Sequence, residues 1–370
     1  MTHIKALKEK LQFTGWLQYI LTAVLATVVL FVALIIWALI NLIVAAPIFF
    51  LAIILYVDVV IEIITIKFKF RMKEALPKRN DGLNLFDLMR ARHSCRSFQL
   101  RKMRNEDYDE LINHVQLELN QVNMNSDVKD RIRFEYVSEP LTVWPVVNAS
   151  EFIVAIAPKE YSRNAVINVG RSLQKIVMHA TRMGVATCWI GPGADQTSIT
   201  KQMGQRFDKN RDHIVCVCAV GYASKYIPLS IRLMSKSQKH RLPISDLFFK
   251  NNQLTEPLKI DEKEFQNFGR CYEICQWSPS SFNAQPTRAV VNISDSNEVI
   301  VNFYCTTKSR FYGPLALGIW CGNWEMGCEA LGIQGNVFYN FYYSSDVEGE
   351  QMVPQYDVSW KSDKIWKVND

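Results

Sequence analysis

The stretch NAVINVGRSLQKIVMHATRMGVATCWIG, residues 164–191, joins two patterns that decide the fold. Apolar residues recur at helical spacing over residues 164–183, and Gly184 stands where a glycine closes a helix in the left-handed conformation. VATCWIG then runs apolar for too short a distance to be another helix, and reads as a buried strand. A long helix feeding a buried strand is the centre of a layered body. HIVCVCAVGYA, at 213–223, supplies a second buried strand, while RIRFEYV (131–137) and EFIVAIAP (151–158) alternate or run apolar like two more. Upstream lie two helical patterns. LNLFDLMRAR has Leu85, Leu88 and Met89 on one face, and EDYDELINHVQLELNQV follows Asn105, an N-cap candidate.

From residue 265 the chain starts again. A helical pattern, FQNFGRCYEICQW, leads into SPSSFNAQP, then the strands TRAVVNI and VIVNFYC, then an apolar helix over 315–331 closed by Gly332. The same order of elements in both parts predicts an internal duplication.

The 370 residues suffice for a membrane segment and about two domains. A net charge of +6, with much of the excess beside the apolar N-terminal run, argues against nucleic acid as a partner. Nine scattered cysteines with no CxxC pair predict a reduced body without a metal site. Residues 16–57 are almost uninterrupted apolar sequence. One helix of that length would rise about 60 Å, twice the hydrocarbon thickness, so two spans bent within 41–47 fit better. Lys5, Lys8 and Lys10 before the run, and Lys67, Lys69, Arg71 and Lys73 after it, place both flanks and the body in the cytoplasm. A re-entrant hairpin is the alternative. Asp58 and Glu62 read as interfacial groups paired with Lys67 and Lys69. Residues 74–82, EALPKRNDG, read as a linker.

Three polar clusters remain. Arg92, Ser94 and Arg96 alternate, so in an extended segment two guanidinium forks and a hydroxyl share one face, as a phosphate site requires. Lys239 and Arg241 form a second spaced pair ahead of Pro243. For both pairs the competing reading is solvated charge at a helix end or linker. Pro279 and Pro286 stiffen a loop in which Ser280, Ser281, Asn283 and Gln285 offer donors and acceptors suited to a flat heteroaromatic ring. An ordinary capped helix end is the alternative there.

RHSCRSF, VGRSLQKIVMHATRMGVATCWIGPG, VCAVGYA, KHRLP and SPSSFNAQP together resemble the nitroreductase family of FMN-dependent oxidoreductases, over residue 83 to the C-terminus. Their order is that of a subfamily in which two nitroreductase-like halves are fused, one chain imitating the usual homodimer. The resemblance implies an α+β fold of two fused pseudo-dimeric halves, 75–250 and 251–370; the apolar run places them behind an N-terminal transmembrane helical hairpin (1–74, with residues 16–66 in the membrane). It implies that Arg92, Ser94, Arg96, Lys239 and Arg241 hold the FMN phosphate. Pro279, Ser280, Ser281, Asn283 and Gln285 would line the ribityl chain and ring edge, and the backbone of Ile190, Gly191 and Gly193 would approach the reactive face. Each half keeps what the other lacks, since GIQGNVFY replaces the Trp-Ile-Gly string in the second, so one FMN per chain is expected. By the resemblance, chemistry rests on FMN, not a catalytic side chain, with NAD(P)H as transient reductant and nitroaromatic, quinone-like or related acceptors. Thr287, where an aromatic residue is usual, and Pro192 between the glycines depart from the family pattern. Two other readings stand: a non-catalytic flavin-binding or degenerate membrane scaffold, and a reductive dehalogenase. Fusion makes a monomer the expected state.

Overall fold

The computed structural model describes residues 6–7, 10–12, 14–191, 194–237, 240–263, 265–293, 298–339 and 354–362. Two apolar helices come first, α1 (Leu17–Leu39) and α2 (Leu42–Glu62), the latter continued by a π-helical turn, Ile63–Lys67. Both are long and apolar enough to cross a membrane; 23 residues rise about 35 Å. They pair through small side chains, with Ala26, Ala33, Ala45 and Ala52 buried between them, and Thr27 Oγ1 meets Tyr56 Oη at 2.8 Å. Leu21, Val28, Phe31, Ile35 and Ile43 point outward, exposed. The bend is made by Asn41, whose side chain accepts from the Val44 amide at 2.9 Å. Pro47 lies inside α2 and not in the bend.

The rest is an α+β body. After α3 (Leu85–Ala91) and α4 (Asn105–Met124) come β1 (Arg133–Val137), β2 (Glu151–Pro158), α5 (Arg163–Arg182), β3 (Ala186–Ile190), α6 (Gln196–Met203), β4 (Asp212–Gly221) and α7 (Leu229–Ser237). β5 (Phe248–Phe249), α8 (Cys271–Gln276), β6 (Thr287–Ile293), β7 (Val299–Cys305), α9 (Tyr312–Ala330), β8 (Gly335–Tyr339) and β9 (Gln355–Ser362) complete it. One sheet has the order β1-β2-β4-β3 and the other β5-β6-β7-β9-β8. Without β5 the two sheet orders are identical, each built from strand–strand–helix–strand–strand in sequence apart from α6, which lies between β3 and β4, and every pairing is antiparallel except β5 with β6. The helices and strands read from the sequence occur in that order; α6, α7, β5, β8 and β9 are additional, and two readings are corrected. Asn105 is the first residue of α4, with Arg104 in the cap position. Residues 265–277 are not one helix: a 3₁₀ turn, Gln266–Phe268, stops at Gly269 with φ +44°, and α8 starts beyond it.

β2 is buried on both faces. Ile153, Ala155 and Ala157 pack with α4 and α5, while Phe152, Val154 and Ile156 form a second cluster with Phe98, Cys188 and Val217. The second sheet has an aromatic core of Trp324, Trp360, Phe248, Phe268, Phe303 and Tyr272. Phe86, Leu88 and Met89 of α3 enter that same core, as does β5, so elements early in the chain finish the second sheet.

Helices α5 and α9 join the sheets. A Cβ on Gly318 would lie 2.1 Å from the Ile167 carbonyl oxygen, and one on Gly170 2.2 Å from that of Leu315, so only glycine allows this approach. Contacts advance together along both helices, Gly170 with Leu315, Gly322 with Arg171, and Gln174 Nε2 donating to Asn323 Oδ1 at 3.0 Å. The helices therefore run in the same direction and their N-termini share one end. Arg171 grips Glu325 with two guanidinium nitrogens, and Lys175 stands 3.5 Å away.

Segment 68–82 lies against the body. Arg71 donates to Ser224 Oγ (3.0 Å) and the Phe98 carbonyl (2.8 Å), and Glu74 accepts from the Lys225 amide (2.7 Å). Asn80 bonds the Arg182 and Thr181 carbonyls. Glu62 accepts from the Leu229 amide at the start of α7, and Lys67 reaches the Thr14 carbonyl and the Trp16 ring. The expected pairing of Glu62 with Lys67 and Lys69 is thus replaced by a contact to the body.

Candidate functional site

Asn84 caps α3 by accepting from the Asp87 amide at 2.9 Å, and the helix ends at Arg92, which turns extended. The chain then runs beside β3: Ser94 bridges Thr187 in parallel, and the Cys95 amide donates to the Thr187 carbonyl at 2.8 Å. This packing takes Arg92 indoors. It is 8% exposed, and its Nε and Nη1 have no hydrogen-bond partner among the described residues. Burial first, then the nearby Arg241 guanidinium, lower its pKa to about 10. Arg241 is also lowered by burial, and its Nε is a second unpartnered buried donor. Two guanidinium groups thus face one region, and among the described residues no carboxylate neutralises them. Such an arrangement is costly unless an anion completes it.

The loop between α8 and β6 closes on Arg241. Arg241 Nη1 donates to Asn283 Oδ1, and its guanidinium lies 5.4 Å from the Trp277 ring centre. Asn283 Nδ2 donates to the His240 carbonyl at 2.6 Å, and Gln285 Oε1 accepts from the Leu242 amide at 2.9 Å. Gln276 Nε2 adds a bond to the Leu242 carbonyl at 2.7 Å. Within the loop, Ser280 Oγ accepts from the Gln285 amide at 2.9 Å, Pro279 leads into it, and Ser281 heads a 3₁₀ turn. Phe282, Asn283 and Gln285 all have positive φ, about 50°, which non-glycine residues adopt rarely; the side-chain bonds hold them there.

Arg96 sits further along and donates to Ser235 Oγ at 3.3 Å, which ties the site to α7. Ile190 ends β3, buried, and a Cβ on the next residue, Gly191, would come 3.2 Å from the Tyr312 ring at the start of α9. Cys188 lies by Arg96 and Arg92, yet burial holds its thiol pKa up, so it is no thiolate nucleophile. Lys239 and Gly193 lie outside the described residues. Of the predicted set, Arg92, Arg241, Asn283, Gln285 and the Ser280 loop form one cluster, with Ser94 and Arg96 along one edge. Trp277, Gln276, the His240 carbonyl and Tyr312 complete the surroundings without having been read as site residues; an aromatic directly before the Pro-Ser loop was the one signal. Thr287 is buried beside this loop with its hydroxyl unpartnered.

Fold and site define an α+β protein with an uncompensated dicationic cradle against a strained polar loop. The chain belongs to the nitroreductase family: the family model described as "Putative TM nitroreductase" matches residues 84–323. No curated protein matches. Among solved structures, a protein described as a nitroreductase from Thermotoga maritima is 16% identical, with 80% of this chain and 97% of that chain covered and a TM-score of 0.42. One from Exiguobacterium sibiricum, in complex with FMN, is 16% identical over 46% of this chain and 98% of that one, TM-score 0.35. A Bacteroides fragilis nitroreductase with bound FMN is 15% identical over 39% and 90%, TM-score 0.28.

Proposed function

We propose that the chain is a membrane-anchored, FMN-dependent NAD(P)H oxidoreductase of nitroaromatic, quinone-like or related conjugated acceptors, working by a ping-pong cycle. The carrying observation is the buried Arg92 beside the half-buried Arg241, each with a buried donor unsatisfied and neither with a carboxylate in ion-pair reach among the described residues. A phosphate monoester matches them in charge and geometry. Arg92, Ser94, Arg96, Arg241 and Lys239 would hold that phosphate. Ser280, Ser281, Asn283 and Gln285 would orient the ribityl chain and ring edge, and the backbone at Ile190, Gly191 and Gly193 would border the reactive face. When bound, FMN supplies the hydride chemistry. The residues bind, align and exclude water; none is needed as a nucleophile.

The matching strand orders and the sharing of α3 and β5 with the second sheet support a tandem fusion in which one chain, folded as a monomer, does the work of a dimer and holds one FMN. On this reading 1–74 is the anchor, 75–250 the first half and 251–370 the second. The basic residues flanking α1 and α2 favour a cytoplasmic body.

The full chain, purified in detergent, should show a flavin absorption band near one FMN per chain, bleached by NADH or NADPH without oxygen. Arg92→Gln should weaken FMN binding about 100-fold, the loss of a charge-assisted contact. A folded chain that cannot be loaded with FMN would sink the reading; a band that no nicotinamide bleaches would favour a flavin-binding protein without this activity.

A further inference from the structure

A pocket of about 230 Å³ opens where α5 and α9 begin side by side, lined by none of the residues of the Arg92–Arg241 cradle. Its walls are Tyr161, His213, Phe311, Lys159 and Arg310. His213 and Phe311 stack on one another with ring centres 4.8 Å apart, and Phe311 meets Tyr161 edge to face at 5.5 Å, so three packed rings make up the aromatic part of the lining. The Arg310 guanidinium is held 4.3 Å from the Tyr161 ring centre, and Tyr161 Oη donates to the Arg310 carbonyl at 2.7 Å. That stacking fixes a charged fork at the pocket wall without using its hydrogen-bond donors.

Charge is unbalanced here. Among the described residues neither Arg310 nor Lys159 has a carboxylate within ion-pair distance, and no acidic residue lines the pocket. Asp357 is taken by a two-pronged bond from Arg163, Asp130 by Ser162 and Asn164, and Asp212 by Arg133, while Glu160, exposed between Lys159 and Tyr161, does not line the pocket. The His213 imidazole is held below its ordinary pKa by burial, then by Lys159 and Arg310, so both cations crowd its side of the pocket. The N-termini of two helices, of 20 and 19 residues, share this end and add partial positive charge.

We propose that this pocket is a second ligand site, specific for a small planar anion: an aromatic ring carrying a carboxylate. The ring would lie among Tyr161, His213 and Phe311, with its carboxylate on Arg310 and Lys159. The aromatic lining selects a ring, and two cations without a carboxylate partner select the charge. The site stands apart from the flavin reading, because none of its residues belongs to the proposed cradle.

Calorimetric titration of the full chain in detergent with benzoate tests it, with benzyl alcohol as the uncharged match. Saturable benzoate binding is expected, with benzyl alcohol at least about tenfold weaker. Arg310→Gln should weaken benzoate about tenfold, Lys159→Gln should weaken it in the same direction, and Arg92→Gln should leave it unchanged. Each variant is compared at an unchanged melting temperature, and the two cation variants stand in for one another if one fails to fold. No saturable binding to the unaltered chain would overturn the proposal. So would binding untouched by both cation variants, or lost only with Arg92→Gln, which would put the carboxylate in the cradle.

Discussion

Arg92 shows how one residue can be set for binding at the expense of stability. Its guanidinium pKa is lowered to about 10, well below the ordinary arginine range, so at pH 7 it is charged in both folded and unfolded chains. A base whose folded pKa is depressed destabilises the fold while it holds its proton, here by an amount on the order of 3 kcal/mol, relieved only above pH 10. Arg92→Met should therefore raise the melting temperature of the flavin-free chain, by an amount corresponding to about 2 kcal/mol, while abolishing the gain that the unaltered chain shows on adding FMN. A flavin-free variant melting lower than the unaltered chain would mean that an unseen partner already balances Arg92. The arginine itself was legible in the sequence as part of an alternating basic segment. Its burial was not, because that depends on β3 lying alongside, which only the Ser94–Thr187 bridge reveals.

Among the elements, the α5–α9 pair joins the two sheets and borders the pocket at their N-termini. The tight approach depends on Gly170, Gly318 and Gly322, where an added Cβ would meet backbone that cannot swing aside. Gly318→Ala should cost about 3 kcal/mol, read as a lower urea midpoint with unchanged slope. An unchanged midpoint would mean that the helices separate freely. These helices were readable from periodicity and closing glycines, and their observed ranges, Arg163–Arg182 and Tyr312–Ala330, differ from the pattern by a few residues. Their parallel crossing was not readable. The failed single helix over 265–277 has a local cause: Gly269 at positive φ ends the turn that the apolar pattern seemed to continue.

Across the whole molecule, the apolar hairpin and the candidate site are mechanically joined. Glu62 at the end of α2 bonds the first residue of α7, and Ser235 of the same helix bonds Arg96. Six residues of helix span about 9 Å, so under the anchored reading the cradle lies close to the lipid boundary. If the body faces the cytoplasm, protease added to sealed inside-out vesicles should remove it and leave a protected fragment containing α1 and α2. Digestion only in right-side-out vesicles would reverse the orientation.

The sequence by itself determined the apolar spans, the order of helices and strands, the family, and the residue types that crowd the site, because periodicity, closing glycines and short polar motifs are local properties of the chain. The tertiary structure alone decided that Arg92 and Arg241 share one unneutralised region, that α3 and β5 complete the other sheet, and that Tyr161, His213 and Arg310 line a common pocket. Those facts depend on which distant segments pack together. Close packing, with the desolvation it imposes on charge, has no signature in any short stretch of sequence.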